Sequence, residues 1–393
     1  MASTQLAQTS PSKLSLSLSP KLVPIPTACT MGTASLYPVL LQANKARHIQ
    51  AVELLYEFSI AGSSEVLGLM RPRFVQEMMW NEGSFTINHY MRRVILNPPP
   101  LEGHGLAEAC KAALVDLCRL NCGRFHNCFD RWLAKPESQR EFQPIHTSRQ
   151  DRQDFVIPLP ARGMFGAITV GVHLNVYTVK RAADGRESID RIWVSHRANG
   201  PDLSYPGMLD QIVAGGMDPK DAGATGILAP RLTLKREAAE EAGLHIDLDT
   251  KDVFVRDQDD QYTQPRLVGS VETKPTIAFY DCKDVSAGHL NEGHMEPGLR
   301  FVYDLEVKDP DFLPQAAERG IERFEAMTVD GVKESLMAGQ WKPNCGLVML
   351  DFLVRHQLHT KMHDDQIAII KTNLHPKLPF RFGDEYKDLF TSW

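Results

Sequence analysis

"LTLKREAAEEAGL", residues 232–244, sets three glutamates and an arginine in one short stretch that stops at a glycine. At about 100° per residue on a helix, Glu237, Glu240 and Glu241 share one narrow arc, because positions i, i+3 and i+4 are neighbours. Leu234, Ala238 and Ala242 fall on the adjoining arc and can pack against a sheet. Gly243 stands where a left-handed cap ends a helix. Three like charges so spaced repel, by roughly 0.2–0.5 kcal/mol per pair. A solvated face would dilute them with lysine, whereas the spacing turns Arg236 away from the acid arc. A hard divalent cation, Mg2+ or Mn2+, removes the repulsion through carboxylate oxygens. A solvated charged face is the other reading of the same helix.

Before the helix comes "DQIVAGG", 210–216, a short strand whose Gly215 and Gly216 let the backbone turn tightly. A glycine loop feeding a carboxylate helix is a platform for phosphate and metal. Farther upstream, "AITVGVHLNVYTVKR" and "IDRIWVSHR" alternate in hydropathy around the turn "AADGRES", as in a hairpin. Downstream, "GLRFVYDLEV" reads as a strand, and "VDGVKESLMAGQW" and "NCGLVMLDFLVRHQLHT" as helices, the second mostly buried. Strands, one glutamate-rich helix, strands and closing helices predict an α+β or α/β sandwich. A mixed α/β region precedes it. Its stretch 104–135 has helical spacing closed by Pro136, and 136–154 reads as a linker or surface loop. The expected segments are 1–50, 51–154, 155–362 and a tail 363–393.

Composition sets outer bounds. With 43% hydrophobic and 23% charged residues and a net charge of -6, the chain reads as an ordinary globular protein with no general pull toward nucleic acid or anionic membrane. Seven scattered cysteines suggest reduced thiols rather than a disulfide framework. The first thirty residues are rich in Ser, Thr and Pro, carry Lys13 and Lys21, and contain no acid before Glu53. Such a profile fits a transit peptide for a mitochondrion or plastid. A plain disordered tail on a cytoplasmic protein is the alternative.

The stretch "REAAEEAGL" resembles the second half of the Nudix hydrolase box, G-x5-E-x7-R-E-U-x-E-E-x-G-U, with Ala238 at the first bulky position. The resemblance implies that Glu237, Glu240 and Glu241 bind Mg2+ or Mn2+. It makes Arg236 the residue that orients them, Glu240 and Glu241 catalytic, and Gly216 the opening glycine. It also implies the Nudix α/β/α sandwich with a mixed sheet. The first half departs: counting back from Arg236 reaches Leu228 where the box has glutamate, and the loop from Gly216 is about six residues longer than the pattern. The flanks, around residues 160–360, resemble the Nudix subgroup related to thiamine pyrophosphokinase. That implies hydrolysis of a small diphosphate, with oxidised thiamine diphosphate a proposed substrate. A degenerate box that binds ligand without turnover is the second reading.

Other residues carry weaker signals. Gly215, Gly216, Tyr205 and Arg197 are candidate substrate contacts, Tyr205 through the turn Tyr205-Pro206-Gly207 and Arg197 as a phosphate partner. Glu318 and Glu322 are candidates for a further acid. His173 reads as a packed histidine. Cys118, Cys122, His126 and Cys128 match no common zinc spacing and read as packed thiols. "GATG", 223–226, lacks the Lys and Ser or Thr of a P-loop.

Overall fold

Val170, Val172, Leu174 and Val176 alternate with Thr169, Gly171, His173, Asn175 and Tyr177 along one strand, and both sets are buried. A strand buried on both sides must have a layer on each face, and this one does. The computed structural model describes residues 36–146, 155–200, 203–224, 226–256, 264–315, 320–359, 364–374 and 378.

In chain order the N-terminal part runs α1 (Tyr37–Gln42), α2 (Ala46–Val52), β1 (Tyr56–Ile60), β2 (Gly68–Met70), α3 (Pro72–Glu77), β3 (Phe85–Asn88), β4 (Arg93–Leu96), α4 (Leu106–Leu120), α5 (Cys128–Ala134), β5 (Phe142–Pro144), β6 (Val156–Pro158) and α6 (Leu159–Phe165). The second part runs β7 (Thr169–Arg181), β8 (Glu187–Arg197), β9 (Leu209–Gln211), β10 (Val213–Gly216), α7 (Pro230–Ala242), β11 (Leu244–Ile246), β12 (Asp252–Val255), β13 (Arg266–Cys282), β14 (Met295–Val307), β15 (Ile321–Thr328), α8 (Val329–Met337), α9 (Pro343–Arg355) and α10 (Asp364–Asn373).

The large sheet has the order β11-β12-β13-β14-β7-β8-β15, with β10 added to β7 and β9 to β8. It is mixed: β14 and β7 run parallel, and β7–β8 and β13–β14 antiparallel. Side chains alternate between the faces of a strand, so the even residues of β7 share one face. They join Leu234, Ala238 and Ala242 of α7 in one apolar core. The odd residues face α9: Tyr177 meets Phe352 edge to face, and Gln211, bonded to His173, donates to the Cys345 carbonyl. Helices thus cover both faces, the α+β sandwich expected. α9 is buried from Pro343 to Val354.

Several boundaries differ from expectation. Helices α1 and α2 occupy part of the segment 1–50 assigned to a disordered tail, because Tyr37, Val39, Leu40 and Ala46 are buried; the candidate transit peptide, residues 1–30, lies outside the described residues. The expected helix 104–135 is two helices, parted where Phe125, His126 and Asn127 take positive φ. Residues 142–144 of the supposed linker form a strand with β6. "DQIVAGG" holds parts of two strands, since the chain passes from β8's side to β7 at Ile212. The N-terminal core does not stop at 154: Ile157, Ala161, Met164 and Phe165 belong to it. In the tail, Ile367, Ile370 and Leu374 are buried.

His173 is a packed core histidine. Its Nδ1 lies 2.8 Å from the Gln211 side-chain oxygen Oε1, and burial, then the Arg300 charge, pushes its pKa down to about 3. Because the unfolded chain then binds the extra proton, this stability is present above about pH 6.5 and is lost as pH falls toward 3. Urea melts between pH 6.5 and 4.5 are expected to lose stability more steeply in the parent than in His173→Gln, by up to about 1.4 kcal/mol per pH unit. Equal slopes would place the histidine's proton in the folded state.

Candidate active site

The carboxylate helix is set in place by the glycines before it. Gly215 lies so close to Glu237 that a Cβ there would stand 1.9 Å from the Glu237 carboxyl carbon. Only glycine lets the acid sit over the strand. Glu237 is buried, and burial raises its carboxyl to about 7 against the opposing charge of Arg236. Glu241 turns to the edge of β10 and accepts the Ala214 N–H at 2.7 Å. Glu240 is the open member, its side chain 56% exposed. The helix starts at Pro230 and ends at Gly243 with φ 65, the left-handed cap expected.

Arg236 does not point away from the acids; it joins them. Its guanidinium lies 2.9 Å from Glu237 and 2.8 Å from Glu240, and it donates to the Gly216 carbonyl at 3.1 Å. Its other edge makes a bidentate pair with Asp221, at 2.7 and 2.9 Å. Burial works against the charge, but the Asp221 hydrogen bond and the Glu237 charge outweigh it and raise the arginine's pKa.

Asp221 is the residue that the sequence reading missed. Leu228, found by counting back from Arg236, is part of the apolar core and 2% exposed. Counting forward from Gly215 instead, G-x5 leads to Asp221, an acid at the place the box reserves for one. Fourteen residues then separate it from Arg236, where the pattern has seven. The surplus folds back on itself: Ala222 bridges Leu228, Gly223 N–H bonds the Ile227 carbonyl, and Ala229 N–H returns to the Asp221 carbonyl at 3.0 Å. The chain re-enters the box where it left it. Asp221 also closes a capping turn by accepting the Asp218 N–H. The usable signal was an acid six residues after Gly215.

The other predicted contacts lie elsewhere. Arg197 pairs with Asp210 at 3.2 Å and donates to the Ser204 carbonyl. Tyr205 is 2% exposed with φ 54, its ring 5.9 Å from the Lys283 ammonium. Asp210 is also 3.3 Å from Lys342, beside α9, so these residues gather on the far face of β7 and not around the helix glutamates. Arg197 ends β8, and Asp210 lies on β9, which pairs with β8 and carries it away from the loop. Glu322 sits on β15 at the edge of the sheet, within 3.4 Å of Asn199. Glu318 lies outside the described residues. Cys118 and Cys128 are buried in the N-terminal core, with Cys122 exposed; burial pushes the Cys128 thiol up to about 12.

The donor chemistry around Arg236 fits a hard divalent cation: three carboxylates on one helical arc, one of them buried with a raised pKa. As placed, Arg236 and the Ala214 N–H hold these acids apart. Among the described residues, the only His, Cys, Asp or Glu trio with ligand atoms within 4.8 Å of one another is His173, Asp210 and Cys345.

By sequence the chain is similar to two proteins of Arabidopsis thaliana. Nudix hydrolase 20, chloroplastic, is 28% identical over 222 residues, covering 56% of this chain and 48% of the relative. Nudix hydrolase 24, chloroplastic, is 27% identical over 224 residues, covering 57% and 50%. The likeness is to Nudix hydrolases. An uncharacterized protein of Saccharomyces cerevisiae is 29% identical over 220 residues, 56% of each chain. The chain spans about half the length of the curated relatives it matches. No family model matches it. No helix among the described residues is long and apolar enough to cross a membrane.

Asp221 is 2% exposed, so losing its partner leaves a buried charge alone. Arg236→Met is expected to lower stability in urea melts by about 3 kcal/mol. Asp221→Ala with Arg236→Met should lose less than the sum of the single variants. Additive losses would show that the pair is not coupled.

Proposed function

We propose that the chain is a divalent-metal-dependent Nudix hydrolase that cleaves the diphosphate bond of a small organic or nucleoside diphosphate. The observation that carries this reading is the Arg236 guanidinium, which joins Asp221, Glu237 and Glu240 beside the Gly216 carbonyl, in the order of the Nudix box. The names of the plant relatives support the reaction class. Oxidised thiamine diphosphate, hydrolysed to the monophosphate, is the first compound to try, on the resemblance of the flanking strands.

Glu237, Glu240 and Glu241 would hold Mg2+ or Mn2+. When bound, the cation supplies neutralisation of the phosphate oxygens and favours attack by water on phosphorus. Arg236 keeps Glu237 and Glu240 together, which limits the reorganisation needed for them to converge. Glu240, the exposed acid, can act as ligand or receive the proton of the attacking water. Gly215 and Gly216 keep the backbone low enough for a phosphate to approach.

A second reading, a binding module without turnover, is favoured by one observation: the three helix acids do not lie within 4.8 Å of one another. The two readings separate in a phosphate-release assay over a panel of thiamine and nucleotide diphosphates with Mg2+ or Mn2+. The enzyme reading expects turnover that falls on the order of 100-fold or more in Glu241→Gln, with the thermal melt retained. Binding of these compounds with no product from any of them would establish the module instead.

We also propose that the acid-free N-terminus directs import into an organelle; both plant relatives are named chloroplastic. A fluorescent fusion of the whole chain should enter plastids or mitochondria, and one starting at Met31 should stay in the cytosol. The same distribution for both would remove the targeting role.

A further inference from the structure

On the face of the sheet opposite α7, three buried cations surround one carboxylate, with a fourth, half-buried cation nearby. Lys283 lies 3.4 Å from Glu296, Arg162 lies 3.6 Å from it, and Arg300 4.0 Å. The fourth, Lys342, also acts on Glu296 and is shared with Asp210. The side chains of Arg162, Lys283 and Arg300 are 9%, 7% and 7% exposed.

The charges do not balance. Among the described residues, Arg162, Arg197, Lys283, Arg300 and Lys342 form ion pairs only with Glu296 and Asp210, an excess of three positive charges. Asp281 and the half-exposed Asp284 share one counter-charge, Lys45, at 3.1 and 3.4 Å, which lowers the excess to two. Arg300 spends its Nη1 on the Thr169 and Leu299 carbonyls and the Thr169 hydroxyl. Arg162 has no such outlet: its Nε and Nη1 are buried and, among the described residues, meet no acceptor. A buried cation without a counter-charge costs several kcal/mol, and a donor left unmade adds about 1–3 kcal/mol. Proteins rarely keep both unless a ligand relieves them.

The chemistry names the ligand class. Guanidinium forks match phosphate oxygens, and lysine adds point charge. Position supports the same choice. Arg300 on β14 stands beside Gly171 on β7, and Gly171 beside Gly216 on β10. Two strand spacings, about 10 Å, therefore separate the backbone of Arg300 from that of the glycine that accepts the Arg236 N–H, with the cation cluster on the face of the sheet opposite α7.

We propose that Arg162, Lys283, Arg300 and Lys342 form a buried anion site that takes a phosphoryl group of the diphosphate substrate. Its assignment to substrate rests on the hydrolase reading above; the anion site itself does not. Glu296 holds the four cations in position while leaving them under-neutralised. Burial alone would raise its carboxyl, but the charges of Lys283, Arg162 and Arg300 hold it down at about 2, so it stays ionised as a fixed post. Arg162 enters from α6, ahead of the strands of the large sheet, so the N-terminal part of the chain completes the site.

The test is calorimetric titration of the whole chain with methylene diphosphonate, and separately with inorganic phosphate, in EDTA, where the helix acids hold no metal. Both anions are expected to bind, and Arg162→Gln should weaken them at least ten-fold. Without anion, Arg162→Gln should melt no lower than the parent, because it removes a buried charge whose Nε and Nη1 meet no acceptor among the described residues; a purely structural arginine would make it melt lower. Lys283→Met repeats the reading if Arg162→Gln does not fold. No binding in EDTA, equal binding by Arg162→Gln and Lys283→Met, or binding of phosphate alone without the diphosphonate would overturn the proposal. Binding intact with no turnover on any diphosphate would instead overturn the hydrolase reading and leave the anion site standing.

Discussion

One guanidinium organises the carboxylate side of this protein. Arg236 holds the buried Asp221 on one edge and the helix acids Glu237 and Glu240 on the other. A carboxylate as enclosed as Asp221 persists only with a partner of good geometry, and an arginine fork supplies two aligned bonds. That pairing fixes where the inserted loop must end and how α7 sits over β10. The glycine at 215 follows from it, because Glu237 reaches Arg236 only by lying against the bare backbone.

The two faces of β7 divide the remaining work. Valines and a leucine at even positions weld the sheet to α7 and give the acids a rigid base. The odd positions carry polar groups that α6 and α9 cover, and there positive charge gathers. Acids therefore gather on one face of β7 and cations on the other. The strands that part at Ile212 allow this, since β9 follows β8 and β10 follows β7.

What could be read from the chain followed locality. "REAAEEAGL" was legible because helical periodicity, a glycine cap and charge spacing all lie within nine residues. The strands flanking "AADGRES" were legible from alternation, and α9 from its unbroken apolar run. Backward counting through the insertion hides the first half of the box, because it lands on the core residue Leu228 and passes over Asp221. Arg236 was set apart from the acids because a helical wheel fixes Cα directions, whereas a long side chain bends back across its own turn. Arg197 and Tyr205 were put near the loop by sequence proximity, yet strand pairing sent them to the other face. Arg162, Lys283, Glu296 and Arg300 left no signal. They come from three separate elements, and charged residues in an alternating strand look like solvent-facing ones until both layers are known.

The self-closing loop has a consequence for how such chains tolerate change. Since Ala229 N–H meets the Asp221 carbonyl, the seven residues 222–228 form a detour whose entrance and exit coincide. Among its described residues, Leu228 alone lies in the apolar core, with Ala222 packed partly against that core. Segments of other lengths spanning the same doorway would leave the guanidinium clasp untouched, so spacing along the chain is a poor ruler here. A reporter peptide grafted between Gly223 and Gly226 would ride outside the machinery while staying next to it.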